Sequence, residues 1–344
     1  MGKPLDASWL DAFVQVFKRC QIAPTESVVV LAERGSKSVL IELAELALSQ
    51  LALNYYRLVL PTPAADNGPL ICSSGASVAL TAKPGAVQAL CAADVVVDIT
   101  VEGLMHAPET AEILQSGARI MNISNEHPEV LSRLLPDDAL KDRVKQSVSQ
   151  IREAKKMKVT SSAGTDLTVN LNNARTVGVW GWTDRPGTLA HWPGGLVVSF
   201  PDANSVNGRL VLAPGDLNLT FKRYIESAVS LTIEDDYVTG LEGTGADAAL
   251  MRDYLAAFGD REAYATSHVG WGLNPAARYE AMTMYDRNDT NGTELRAVAG
   301  NFLYSTGANE FAKRFTRGHF DLPVMGCTIS LDDVVVIDKG QPVL

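Results

Sequence analysis

Near the C-terminus the chain reads Gly318-His319-Phe320-Asp321, followed by Leu322, Pro323, Val324 and Met325. In an extended strand successive side chains point to opposite faces. His319 and Asp321 then share one face and Phe320 takes the other. An imidazole and a carboxylate side by side make two-thirds of a facial metal site. A second histidine from elsewhere would complete the two-His-one-carboxylate set that holds non-heme Fe(II) and leaves positions open. The alternative is a surface strand with a solvated His-Asp pair, and these four residues alone do not decide between the two.

The chain has five histidines, so each can be placed. His127, in Ser-Asn-Glu-His-Pro-Glu, belongs to the turn that leads into a helix. His106, in Val-Glu-Gly-Leu-Met-His, follows a β-branched run. Loops at the carboxyl ends of parallel strands are where open α/β sheets place their ligands. His191 sits in the turn-rich Thr-Leu-Ala-His-Trp-Pro-Gly-Gly, where Trp192 is either a stacking wall for a ring or a buried anchor. His268, in Ser-His-Val-Gly-Trp-Gly-Leu-Asn-Pro, is expected in a tight loop where backbone approaches something closely. It is the candidate third ligand beside His319 and Asp321.

These residues need a scaffold, and the first half of the chain spells one out. Helical spacing over Ser8–Arg19 precedes strands at Ser27–Ala32 and Tyr55–Leu60, with an Ala/Leu/Glu-rich helix between them. A helix over 84–92, the run Asp94–Ile99, a helix over 107–116, a strand at Arg119–Ile123 and a helix opened by Pro128 follow. This alternation predicts a mainly parallel sheet covered by helices. After about Met157 strands dominate: 166–171, 176–180, 196–200, 208–212 and 229–233, a helix at 246–257, and a closing hairpin over 324–337. The basic stretch Arg152–Lys158 reads as the solvated face of a helix. The expected organisation is an α/β domain over residues 1–160 and a mainly β (α+β) domain over 161–344 that carries the metal site.

Composition narrows the function. The 344 residues are 46% hydrophobic and 20% charged, as in a globular protein, and the length allows two cores. A formal charge of −10 argues against nucleic acid or anionic membrane as a main partner. No apolar run reaches membrane-spanning length, and the N-terminal residues lack a signal-peptide core, so the cytoplasm is the expected location. Asp6 stands where a myristoylation motif needs Ser or Thr. Cys20, Cys72, Cys91 and Cys327 are far apart and suggest neither disulfide framework nor zinc knuckle. No GxGxxG, P-loop, GxSxG or HExxH motif occurs.

Together Gly164-Thr165-Asp166-Leu167-Thr168, Gly-Trp-Gly-Leu-Asn-Pro and His-Phe-Asp, in this order behind an α/β domain, resemble the thermophilic aminopeptidase T superfamily of metallopeptidases. Within it the chain is similar to the mononuclear-iron branch, the 2,5-dihydroxypyridine 5,6-dioxygenases. The departures from the peptidase pattern carry the distinction. Gly194-Gly195-Leu196 stands where a peptidase glutamate belongs, His268 stands where another does, and Ala299–Gly307 holds no histidine. A two-metal site needs those ligands. What remains, His268, His319 and Asp321, suits one Fe(II) ion.

The resemblance implies Fe(II) as cofactor, 2,5-dihydroxypyridine and O2 as substrates and N-formylmaleamate as product, in nicotinate or nicotine breakdown. It calls for a group that moves a substrate proton, which suits histidine. His106 is assigned that role first and His191 second. Ser305 and Thr306 are candidates to hydrogen-bond the ring. A homo-oligomer is expected from the general habit of such enzymes. The rival readings are a metal-dependent aminopeptidase, a non-catalytic relative, and the same chemistry on another hydroxylated heteroaromatic ring.

Overall fold

The computed structural model describes residues 5–62 and 76–343. Five strands form a parallel sheet in the order Asn54–Leu60, Ser27–Glu33, Val95–Asp98, Arg119–Ile123, Leu189–Trp192. The inner strands Ser27–Glu33 and Val95–Asp98 are rich in valine because both of their faces are covered. Val28 and Val30 face Phe13 and Phe17 of helix Ala7–Arg19 and Leu40 and Leu43 of helix Ser38–Gln50. Val29 and Leu31 face Val87, Leu90 and Ile113 on the other side. The alternation expected of the first half is therefore what the chain forms. Pro128 starts helix Pro128–Arg133, and His127 caps it, its Nδ1 accepting from Glu129 N at 3.1 Å.

Two features depart from the expectation. The stretch Arg152–Lys158 is not one helical face: helix Asp138–Glu153 ends there and strand Lys156–Thr160 begins. The segment around His191 is not a loop but a four-residue strand, Leu189–Trp192, and it returns from beyond residue 161 to become the fifth strand of the parallel sheet. Trp192 is fully buried against Phe13, its Nε1 donating to Leu134 O at 2.8 Å, so it anchors that strand and is no stacking wall.

Apart from a two-stranded ribbon of Leu217–Asn218 and Arg223–Tyr224, the remaining strands form two antiparallel sheets packed face to face. One has eight strands, centred on Val206–Leu212, Asp166–Asn170 and Lys156–Thr160. The other has five, in the order Phe320–Val324, Phe302–Thr306, Thr266–Gly272, Leu196–Phe200, Arg175–Val179. Val269, Trp271, Phe302, Tyr304, Phe320 and Leu322 point inward and share one core with Val159, Leu167 and Leu210. By the period of two, the residues between them, His268, Leu303, Ser305, His319 and Asp321, point the other way. No helix among the described residues is long and apolar enough to cross a membrane. Cys20, Cys91 and Cys327 are free thiols, and Cys72 lies outside the described residues.

Candidate metal centre

The outward face of the five-stranded sheet brings the predicted ligands together. His319 directly precedes strand Phe320–Val324, and its Nε2 lies 3.2 Å from Asp321 Oδ2. His268 comes from strand Thr266–Gly272, two strands away, with Nε2 4.0 Å from Asp321 Oδ1. Donor atoms of His268, His319 and Asp321 all lie within 4.8 Å of one another, and all three residues are buried. The loop expected around His268 is a strand instead. A shift of register between Thr266 and Val269 puts a bulge there, and bulges beside active sites re-aim side chains. Close approach does hold at Gly270: a Cβ would meet Val197 O of the neighbouring strand at 1.9 Å.

The electrostatics suit a cation. Burial alone would raise the Asp321 carboxyl, but the Arg296 guanidinium and then His319 hold it well below the usual carboxylate range. Burial drives His268 down to about 3, so it is a neutral donor at pH 7. His268 Nδ1 is buried with no hydrogen-bond partner. The ring is held by packing, with Phe200 edge-on at 5.2 Å. Two imidazoles, one of them kept neutral by burial, and an ionised carboxylate converging at one point fit a divalent ion with open positions. Among the described residues no second cluster of this kind occurs.

Arg296 has no local sequence signature and was not foreseen. Its Nε donates to Asp321 Oδ2 at 2.5 Å. It rides on helix Thr293–Ala297, which two acidic contacts fix in place. Glu126 accepts from Asn291 N, Gly292 N and Thr293 N at 2.8, 2.9 and 2.7 Å. Arg133 grips Glu294 with both terminal nitrogens, at 2.7 and 3.0 Å. Ser305 and Thr306, the candidate ring contacts, are committed elsewhere. The Ser305 hydroxyl donates to Asp321 across the strand register, and Thr306 Oγ1 accepts from Phe320 N at 3.2 Å. Both are buried, and neither lines the cavity beside the site.

That cavity has a volume of about 1790 Å³ and is lined by four of the five histidines, with Phe200 and Arg296. It exceeds the roughly 300–1,000 Å³ of most small-molecule sites, so one small ring fills only part of it. His106 enters from the loop after Val95–Asp98, its ring centroid 6.3 Å from those of both His268 and His319. Its ring is partly open to the cavity yet deep in the protein, and burial, then the charge of His319, lowers its pKa to about 4. His191 is buried on its strand, and burial takes it to about 4 as well. Its Nδ1 lies 2.8 Å from Pro193 O. A carbonyl only accepts, so Nδ1 carries the proton and Nε2 of the neutral ring is an acceptor.

The sequence profile of the 2,5-dihydroxypyridine 5,6-dioxygenase family matches residues 8–344. The chain belongs to the 2,5-dihydroxypyridine 5,6-dioxygenase family. A curated 2,5-dihydroxypyridine 5,6-dioxygenase of Pseudomonas putida strain KT2440 is 38% identical over 343 residues, covering 98% of this chain and 97% of that one. A solved structure of 2,5-dihydroxypyridine dioxygenase from P. putida KT2440 superposes with a TM-score of 0.93 at 38% identity, covering 99% of this chain and 98% of that one. Wild-type AmpT from Thermus thermophilus shares the fold at a TM-score of 0.63 and 13% identity, covering 98% of this chain and 99% of that one. The dioxygenase family is thus built on the AmpT fold, as the motif order implied.

Proposed function

We propose that the chain is an Fe(II)-dependent dioxygenase that opens the ring of 2,5-dihydroxypyridine to give N-formylmaleamate. Membership of the family supports this reading over a metal-dependent aminopeptidase. The observation that carries it is the donor set, two imidazoles and one carboxylate facing a cavity in which two further neutral histidines stand. The balance is simple. The C5–C6 bond breaks, both atoms of O2 enter the product, and no outside reductant is consumed. His268, His319 and Asp321 would hold the metal. Bound Fe(II) would supply the redox chemistry and leave coordination positions open.

The chain's own residues then have separate tasks. Arg296 and Ser305 fix the Asp321 carboxylate in one orientation, as outer-shell partners of ligands do. Phe200 packs edge-on against His268 and gives that side of the site an apolar wall. His106, neutral at pH 7, takes the proton of the substrate hydroxyl on its free lone pair and later returns it. His191 offers Nε2 as an acceptor, which matches the ring N–H of the pyridone tautomer of the substrate.

The test is anaerobic purification, measurement of metal per chain, and O2 uptake with 2,5-dihydroxypyridine after addition of Fe(II). One iron per chain, and uptake matched mole for mole by substrate loss, are expected. No uptake, or two metals per chain with hydrolysis of aminoacyl-anilides, overturns the reading. His106→Ala should lower turnover about 10²-fold or more while metal per chain stays at the wild-type level. Lost metal would make His106 a ligand instead.

A further inference from the structure

The loop that delivers His106 is wound around one buried carboxylate. Asp98 ends strand Val95–Asp98 and is fully buried. Its Oδ1 accepts from Thr100 N at 3.0 Å and Thr100 Oγ1 at 2.7 Å. Its Oδ2 accepts from Leu104 N at 2.8 Å and Asn122 Nδ2 at 2.6 Å. From the neighbouring strand Glu33 Oε1 takes Val101 N at 2.7 Å. Burying a carboxylate is costly unless donors surround it. Here three of its four donors belong to the loop itself, and the fourth comes from the next strand.

The turn inside the loop has little freedom. Gly103 has φ +81°, and a Cβ there would lie 2.7 Å from Asn122 Nδ2, so glycine is required on both counts. Leu104 is plugged into the core beneath the sheet, and its carbonyl accepts from Ala107 N at 3.1 Å and from the Thr110 hydroxyl. His106 stands two residues further on. Among the described residues no hydrogen bond holds its ring, which packs against Phe200, His268 and His319. Where the imidazole stands is therefore set by the backbone of this loop together with that packing.

We propose that Asp98 is a positioning residue for the reaction: by clamping Thr100 and Leu104 it fixes the His106 imidazole over the ligand histidines. The proposal rests on the reading of His106 as the proton-transfer group. Misplacing a reacting group by about 1 Å can cost ~10²-fold in rate, so Asp98→Ala should lower kcat by about that factor. KM and metal per chain should stay close to wild type. Asp98→Asn, which keeps one acceptor oxygen, should lie between the two.

Non-additivity separates positioning from a general structural role. In a His106→Ala background there is no imidazole left to place, so adding Asp98→Ala should change kcat by less than about twofold. A second readout needs no turnover. In the metal-free protein, amide hydrogen exchange over 99–107 should accelerate in Asp98→Ala while exchange over 266–272 is unchanged. If Asp98→Ala does not fold, Gly103→Ala perturbs the same loop from another point and is read in the same cycle.

Three outcomes overturn the proposal. If His106→Ala keeps wild-type turnover, the proton-transfer reading fails and the proposal falls with it. If His106→Ala is impaired but Asp98→Ala is not, the proposal fails alone. If the two losses multiply in the double variant, the role of Asp98 is structural, and the reading of His106 stands.

Discussion

Replacing His191 by glutamine tests whether that ring is neutral at working pH, on which its role as an acceptor depends. The native pKa is about 4 against an ordinary 6.5, lowered first by burial. The sign follows from which state binds the proton first. As pH falls below 6.5 the unfolded chain takes up a proton that the folded protein refuses. The stabilisation from His191 is thus present in full above pH 6.5, is lost as pH falls toward 4, and changes no further below that. A drop from 6.5 to about 4 corresponds to about 3 kcal/mol, with a slope near 1.4 kcal/mol per pH unit. At pH 7.5 the variant should be less stable by about 1 kcal/mol, for the lost bond to Pro193 O. By pH 4 the order should reverse, with the variant more stable by about 2 kcal/mol. Denaturant unfolding of the two metal-free proteins at matched pH values reads the difference directly. A gap that stays constant from pH 7.5 to 4 would show that His191 charges as readily in the folded state as in the unfolded one. The acceptor assignment would then be wrong.

Three further expectations concern the metal and the frame around it. His268→Ala should purify without stoichiometric iron by metal analysis; a variant that keeps its iron shows that the ligand set is misassigned. Ser305→Ala removes a donor on Asp321 without touching the cavity, so metal affinity should weaken about 10–100-fold in a chelator competition while KM at saturating iron is unchanged. Arg133→Ala strands the buried Glu294 carboxylate and should destabilise by about 3–5 kcal/mol in urea. Arg133→Met with Glu294→Leu should recover most of that loss, and recovery of nothing would show that the loss does not come from the stranded carboxylate.

What the sequence made legible follows from how local each signal is. His319 and Asp321 share a face because strand periodicity is fixed within three residues, and the structure puts them 3.2 Å apart. The parallel sheet was legible for the same reason, since runs such as Val95–Asp98 are buried on both faces. His268 was expected in a loop because Gly270 and Gly272 look like turn residues. They are needed instead for close packing of neighbouring backbone, and the bulge that aims His268 exists only once two strands have paired. Ser305 meets Asp321 through cross-strand register, and Arg296 reaches it from a helix pinned by Glu126 and Arg133 far earlier in the chain. Neither relation has a pattern within any window of sequence. Leu189–Trp192 was missed because four residues among Pro and Gly carry too few periods to register as a strand.

That short strand matters to how the chemistry is divided. His106 and His191 both stand on the parallel sheet, one in the loop after Val95–Asp98 and one in Leu189–Trp192. The three proposed metal ligands all come from the five-stranded antiparallel sheet, His319 from the residue just before its edge strand. On the proposed assignment, proton handling and metal binding come from different sheets, and residues of both line the one cavity. Changes confined to the parallel sheet should then alter turnover and its pH dependence while metal content holds, whereas changes around Asp321 should alter metal content first. Arg296 is the exception that joins them, because helix Thr293–Ala297 is held by Glu126 and Arg133 from the N-terminal part of the chain. A shift of one sheet against the other should therefore be felt at Asp321 through that helix, and a variant that loosens Glu126 or Arg133 should disturb the proposed metal site as well.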